Sequence, residues 1–190
     1  MTDTQNEHNI QIGGKHFIFK PFNQQTFTAT EKAWLSDAQA GEAFVPDVLQ
    51  GMAWAKDHMT LVDNGVAYGV FIDKAHIAIG ICELVVTKPD VRGKWVKLLR
   101  LRVRPEIEEL LFKNDPSALA TAVNAYVCAV IGVYHVKNVH KATTIKVYAR
   151  TQEQMRFLTL LVTKLNEQED ATFKAAIQGR WLTLNWKKHD

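Results

Sequence analysis

Hydrophobic and polar positions change their spacing several times along the chain, and each change marks an element. His16 to Pro21 (HFIFKP) alternates, with Phe17 and Phe19 on one face, as a short strand does after the Gly13-Gly14 turn. Thr28 and Thr30 are candidate N-caps for a helix over EKAWLSDAQAGE, with Trp34 and Leu35 inward and Gly41 closing it. Pro46 opens a second short helix, DVLQGMAWAKDHM. Met59 to Val62 then leads into Asp63-Asn64-Gly65, a strong hairpin signal, and Val66 to Ile72 and His76 to Val86 are β-rich. Trp95 to Arg104 has the cleanest alternation, with Leu99, Leu101 and Val103 against Arg100, Arg102 and Arg104, and predicts a strand. Asp115-Pro116 pairs an N-cap with an N1 proline. The three- and four-residue steps of Leu119, Ala122, Val123, Tyr126, Val127, Val130, Ile131 and Tyr134 predict a long helix buried along that stripe. Thr143 to Arg150 predicts a strand, and Gln152 to Leu165 an amphipathic helix. Thr172 to Ile177 and Trp181 to Lys187 predict a closing hairpin around Gln178-Gly179.

At 190 residues the chain suits one domain, expected over 13–190 after a disordered segment at 1–12. No apolar run reaches about 18 residues and the N-terminus MTDTQNEHN is polar, which argues against a membrane span and a signal peptide and for the cytoplasm. Cys82 and Cys128 lie in apolar stretches and are expected as buried free thiols. His135 and His140 have no carboxylate or cysteine at ligand spacing, so no metal site is expected. The formal charge of +3 hides an asymmetry: residues 1–95 carry 8 Lys/Arg against 11 Asp/Glu, and residues 96–190 carry 15 against 9.

Three segments carry a likeness to a known family. FKPFNQQTF with the helix ending in DAQAGEAF, the IAIG of 77–80, and VYARTQEQMRFLTLL with Val147, Arg156, Phe157 and Leu158 resemble, in order, the GNAT acyltransferase superfamily, particularly the divergent GNAT-like proteins of tailed bacteriophages. The third segment departs from the pattern at the usual Asn, His and following Gly. The resemblance implies an α/β (α+β) domain with a mixed, mostly antiparallel central sheet flanked by helices. It also implies acetyl-CoA as cofactor, with pantetheine along the freed edge of the fourth strand of that fold and pyrophosphate on a small-residue loop before the next helix.

Two registers compete for that loop. In one it is KPDVRGKWVKLL, opening at Arg92-Gly93, with Trp95 and Lys97 where small residues belong. In the preferred one the strand is Trp95 to Arg104, and the loop Pro105 to Asn114 has no glycine and holds Glu106, Glu108 and Glu109. Leu101, Val103 and Arg104 are then the candidate cofactor contacts. Glu83, within IGICELVV, is a candidate base because burial would raise its pKa; the plainer alternative is a glutamate at a sheet edge or in an ion pair. Tyr148 is a candidate thiolate acid, with a packing role as its alternative.

Two functions follow from this reading. One is an acetyl-CoA-dependent N-acyltransferase with a degraded pyrophosphate loop. The other is a non-catalytic GNAT-fold protein that binds a protein partner, as a virion or assembly component or a modulator of a host factor. The basic run Arg92, Lys94, Lys97, Arg100, Arg102, Arg104 admits nucleic-acid contact, but only Trp95 is interleaved with it, so a solvated or internally paired face is the expectation.

Overall fold

The computed structural model describes residues 7–40, 45–88, 93–166 and 173–186. In chain order the elements are β1 (His8–Ile12), β2 (Lys15–Pro21), α1 (Gln24–Ala40), α2 (Val45–Asp57), β3 (Gly65–Ile72), β4 (Ala78–Thr87) and β5 (Trp95–Val103). They continue with α3 (Pro105–Phe112), α4 (Pro116–Val139), β6 (Thr144–Tyr148), α5 (Gln152–Asn166), β7 (Phe173–Gln178) and β8 (Trp181–Trp186). The eight strands form one mixed sheet in the order β1-β2-β3-β4-β5-β6-β8-β7. Element order and sheet together agree with the α/β architecture expected from the sequence. His8–Ile12 corrects the expectation of a disordered N-terminal segment: it pairs antiparallel with β2 across Gly13-Gly14, both at positive φ. Gly41, Arg92 and Thr172 lie outside the described residues.

The chain condenses into two compact units, Met1–Glu83 with Leu101–Gly132, and Leu84–Arg100 with Val133–Asp190. In the first, α1 begins at Gln24, five residues before a Thr28 cap would start it. Asn23 is the cap: its Oδ1 accepts from the Thr26 amide at 2.9 Å, while Thr26 Oγ1 accepts from the Asn23 amide at 3.1 Å. Thr30, a cap candidate in the sequence, is instead buried inside the helix. Its Oγ1 accepts from the Ala78 amide at 2.9 Å, and Trp34 Nε1 donates to the Ala78 carbonyl at 2.8 Å. Two side chains of one helix thus satisfy both backbone groups of a buried strand residue, which would otherwise be costly. Around them Ile18, Phe22, Phe27, Met52, Phe71 and Ile81 form the core. Asp63 and Asn64 both take positive φ between the paired Val62 and Gly65, as the Asp-Asn-Gly signal predicts. Met59 to Leu61, however, build no strand.

In the second unit β5 runs parallel to β6, which is antiparallel to β8, itself antiparallel to β7. Val96, Leu98, Ile145, Val147, Leu182, Leu184 and Ala175 are buried and share one face of these strands. The opposite face alternates with them: Trp95 and Lys97 on β5 pair with Thr144 and Lys146 on β6. Lys146 and Tyr148 in turn pair with Thr183 and Trp181 on β8.

Asp115 caps α4 as expected, accepting from the Ala118 amide at 2.8 Å. The buried face of α4 differs from the predicted stripe. Ala118, Ala122, Ala125, Cys128, Ala129, Val133 and Val136 are buried, whereas Leu119, Val123 and Tyr134 are 57%, 41% and 41% exposed. Small residues win because the backbone approaches closely: a Cβ on Gly132 would lie 2.3 Å from the fully buried Phe19 ring. By length and composition α4 would suffice to cross a membrane, although no uninterrupted apolar run in the sequence does, because Lys137 is its single charged residue.

Two outcomes follow. Gly132→Ala forces Phe19 off its stack with Tyr68 and is expected to cost about 2 kcal/mol, a fall of roughly 4–8 °C in thermal midpoint; an unchanged midpoint would refute the close packing. Burial pushes the Cys128 thiol up to about 12 and raises Cys82 well above its ordinary value, where Cys128 adds to the shift. Native thiols therefore stay protonated while unfolded ones ionise, so stability is full below about pH 9 and falls from there toward pH 12. Denaturant titrations at pH 8 and 10.5 check this, as does thiol reagent at pH 8, which should label both cysteines only after unfolding.

Candidate functional site

The end of β5 is where the resemblance locates the site, and two changes coincide there. The ladder with β6 runs from Trp95↔Thr144 to Leu98↔Val147 and stops, while β5 continues to Val103. Burial also changes: Val96 and Leu98 alternate with half-buried neighbours before the stop, whereas Leu101, Arg102 and Val103 are buried in succession after it, with Leu99 and Arg100 intermediate between.

The arginines that alternate in the sequence meet different partners in the structure. Arg102, 5% exposed, ion-pairs with Glu83, 14% exposed. Its Nε lies 3.4 Å from Asp47 Oδ2 and its Nη2 donates to Gln50 Oε1 at 3.4 Å. Gly51 makes room for it, since a Cβ there would lie 2.7 Å from Arg102 Cδ. Arg104 donates from Nε to Asp37 Oδ2 at 2.7 Å and from Nη2 to Asp37 Oδ1 at 3.3 Å, and pairs with Glu106 at 3.0 Å. The Asp37 hydrogen bond raises the Arg104 pKa further, against a smaller opposing effect of burial. Two members of the basic run are therefore internally paired, as the plainer reading anticipates.

The segment Pro105 to Asn114, expected as a loop, is mostly α3. The turn from strand to helix is immediate, with Arg104 as N-cap and Pro105 in the first turn. Proline brings no N–H, and the amides of Ile107 and Glu108 both donate to the Arg104 carbonyl, at 2.9 and 3.1 Å. Glu106 and Glu108 lie in the first turn. A diphosphate needs several convergent free amides and no adjacent carboxylate. These residues do not fit it: each carboxylate repels an anion by roughly 1 kcal/mol at short range, and Arg104 at the joint is held by Asp37.

Of the residues singled out in the sequence, Leu101 and Val103 are buried on the far part of β5 and Arg104 caps α3. Glu83 sits at the end of the first unit's β4 portion, in contact with Arg102. Tyr148 belongs to the other unit, where its ring packs on Trp181 with centroids 4.8 Å apart and the Arg180 guanidinium 5.9 Å from its own. Sequence reasoning missed Asp37, Asp47 and Gln50, which helices bring to the strand arginines from 52 to 67 positions away.

No family model and no curated protein matches the chain. Solved structures align with it over most of its length. An uncharacterized protein from Bacillus halodurans is 10% identical, with 95% of this chain and 90% of that one covered and a TM-score of 0.51. RimJ of Mycobacterium smegmatis, solved in complex with CoA-disulfide, is 11% identical over 94% and 85%, with a TM-score of 0.49. A GNAT-family acetyltransferase from Listeria monocytogenes is 9% identical over 93% and 98%, with a TM-score of 0.43. At these identities a likeness concerns fold alone, and the Bacillus halodurans alignment is the one of the three that carries it.

Glu83→Ala should cost about 2 kcal/mol in urea unfolding, because it takes the nearest carboxylate from a buried guanidinium and leaves it the longer contacts with Asp47 and Gln50. The double variant Glu83→Leu/Arg102→Met should recover most of that loss; if Glu83→Ala is neutral, the pair is not structural.

Proposed function

We propose that the protein is a GNAT-fold binding protein in which acyl transfer has lapsed. The carrying observation is the β5–α3 joint: proline in the first helical turn, amides already bonded to Arg104, two glutamates in that turn, and Arg104 itself clamped by Asp37. The arrangement around Glu83 supports the same reading, since a carboxylate that neutralises a buried guanidinium is poorly suited to take a proton from an amine.

A protein partner is supported by the outward side of α3 and α4. Phe112 is 74% exposed, and Leu119 and Val123, one turn apart on α4, are 57% and 41% exposed. The resemblance to phage-encoded GNAT-like proteins suggests where such a partner would be met, in an assembling virion or among host factors. The alternative is an acetyl-CoA-dependent N-acyltransferase, supported by the resemblance, with pantetheine on β5 at Leu101 and Val103.

Calorimetry and thermal shift with acetyl-CoA separate the two. The expected result is no heat and no change in midpoint at 1 mM cofactor. A saturable, salt-sensitive rise of several degrees would overturn the proposal, since a ligand at a hundred times its dissociation constant stabilises by about 2.7 kcal/mol.

A further inference from the structure

The polar face of the sheet in the second unit is not used by any of this, and its composition is unusual. Register places Trp95 and Lys97 beside Thr144 and Lys146, Tyr148 beside Trp181, and Lys174 beside Asn185. Three aromatics and three lysines thus share a face on which no position is a carboxylate. The Lys146 ammonium lies 3.9 Å from the Trp95 ring centroid and that of Lys97 5.4 Å from it. Burial and the neighbouring Lys97 both lower the Lys146 pKa, the signature of cations crowded together without an anion. The unit as a whole has 15 Lys/Arg against 6 Asp/Glu.

A cavity of about 310 Å³ opens on this face, lined among others by Trp95, Thr144, Lys146, Gln178, Thr183 and Asn185. At its wall Thr183 is 2% exposed, and its Oγ1 has no hydrogen-bond partner among the described residues. A buried hydroxyl without a partner is a cost that a ligand donor or acceptor would remove. The cavity offers an indole for stacking, amide and hydroxyl groups that can both donate and accept, and ammonium groups at its rim. A nucleobase with its flanking phosphates presents the matching set, a flat π-surface, a polar edge and anions. An acidic peptide would use the lysines but leave the indole and the amide edge without counterparts. The site lies where β5 and β6 begin, at Trp95 and Thr144, whereas the joint discussed above follows the end of β5.

We propose that this face binds single-stranded nucleic acid, with one base in the cavity against Trp95 and the flanking phosphates on Lys97, Lys146 and Lys174. This goes beyond the protein-binding reading and does not depend on it.

The test is fluorescence anisotropy of a labelled fifteen-residue oligothymidylate titrated with the full chain, with tryptophan emission read in parallel and salt varied from 50 to 300 mM. Saturable binding with quenched emission is expected. Lys97→Gln/Lys146→Gln should weaken it at least tenfold at 50 mM and lower the salt slope by about 1.4, at about 0.7 per phosphate contact for single strands. Trp95→Phe should retain most of the affinity and Trp95→Ala should lose it, while Lys113→Gln, in the other unit, should bind as the parent does. Thermal melts establish that each variant folds; should Trp95→Ala not fold, the lysine pair decides alone. Absence of binding at 50 µM protein overturns the proposal, as does binding that the lysine pair leaves unchanged. So does competition by polyglutamate as effective as that of unlabelled oligonucleotide, which would mark an acidic protein as the ligand.

Discussion

A guanidinium taken out of water must be met by charge and hydrogen bonds at once, and Arg102 sets that requirement where a strand faces a helix. Glu83 supplies the charge from the neighbouring strand, Asp47 and Gln50 approach from α2, and Gly51 leaves the space the side chain occupies. These residues are useful only together: remove one carboxylate and an ion is stranded, fill the glycine and the ion has no room. Arg104 repeats the arrangement two positions on, with Asp37 of α1 as its clamp. The far half of β5 is in this way tied to both N-terminal helices through charge. The same groups that fix the fold here are the ones a catalytic reading would need free.

The near half of β5 obeys a different rule. Up to Leu98 the strand buries its even positions and pairs with β6; beyond it that ladder has ended and Leu101, Arg102 and Val103 are buried in succession. Arg102 and Arg104 are drawn into ion pairs there, while Trp95 and Lys97 lie on the polar face of the sheet. One strand thus carries two kinds of cation. Arg102 and Arg104 are neutralised internally, and Lys97 is not paired with any carboxylate among the described residues.

Much of the fold could be read from local signals, because local physics decides it. The Asp63-Asn64-Gly65 turn, the Asp115 cap and the strand β5 each depend on a few adjacent residues, and each forms as read, although the alternation within β5 does not extend past Leu98. The buried side of α4 could not be read this way. Periodicity locates an apolar stripe, but whether large or small residues face inward depends on how near Phe19 comes to Gly132, which is a tertiary fact. The cap of α1 was similarly concealed: Thr28 and Thr30 have the right chemistry, but Thr30 is needed at Ala78 and Asn23 caps instead.

The candidate sites show the same division. That no small-residue phosphate loop exists between Pro105 and Asn114 is visible in the residue types, and the structure adds that the backbone there is a helix start in which Pro105 has no N–H and the Ile107 and Glu108 amides are bonded to the Arg104 carbonyl. The basic run from Arg92 to Arg104, by contrast, misleads when read along the chain, since aromatics seem absent from it apart from Trp95. Across the sheet they are present, because Lys146 from β6 comes to within 3.9 Å of Trp95, and Tyr148 and Trp181 continue the row. Interleaving of aromatic and basic groups on a sheet is a property of neighbouring strands, so a single strand's sequence underestimates it wherever the partners lie about fifty residues away. The feature that argues against nucleic-acid contact in one dimension is, in the folded sheet, what argues for it.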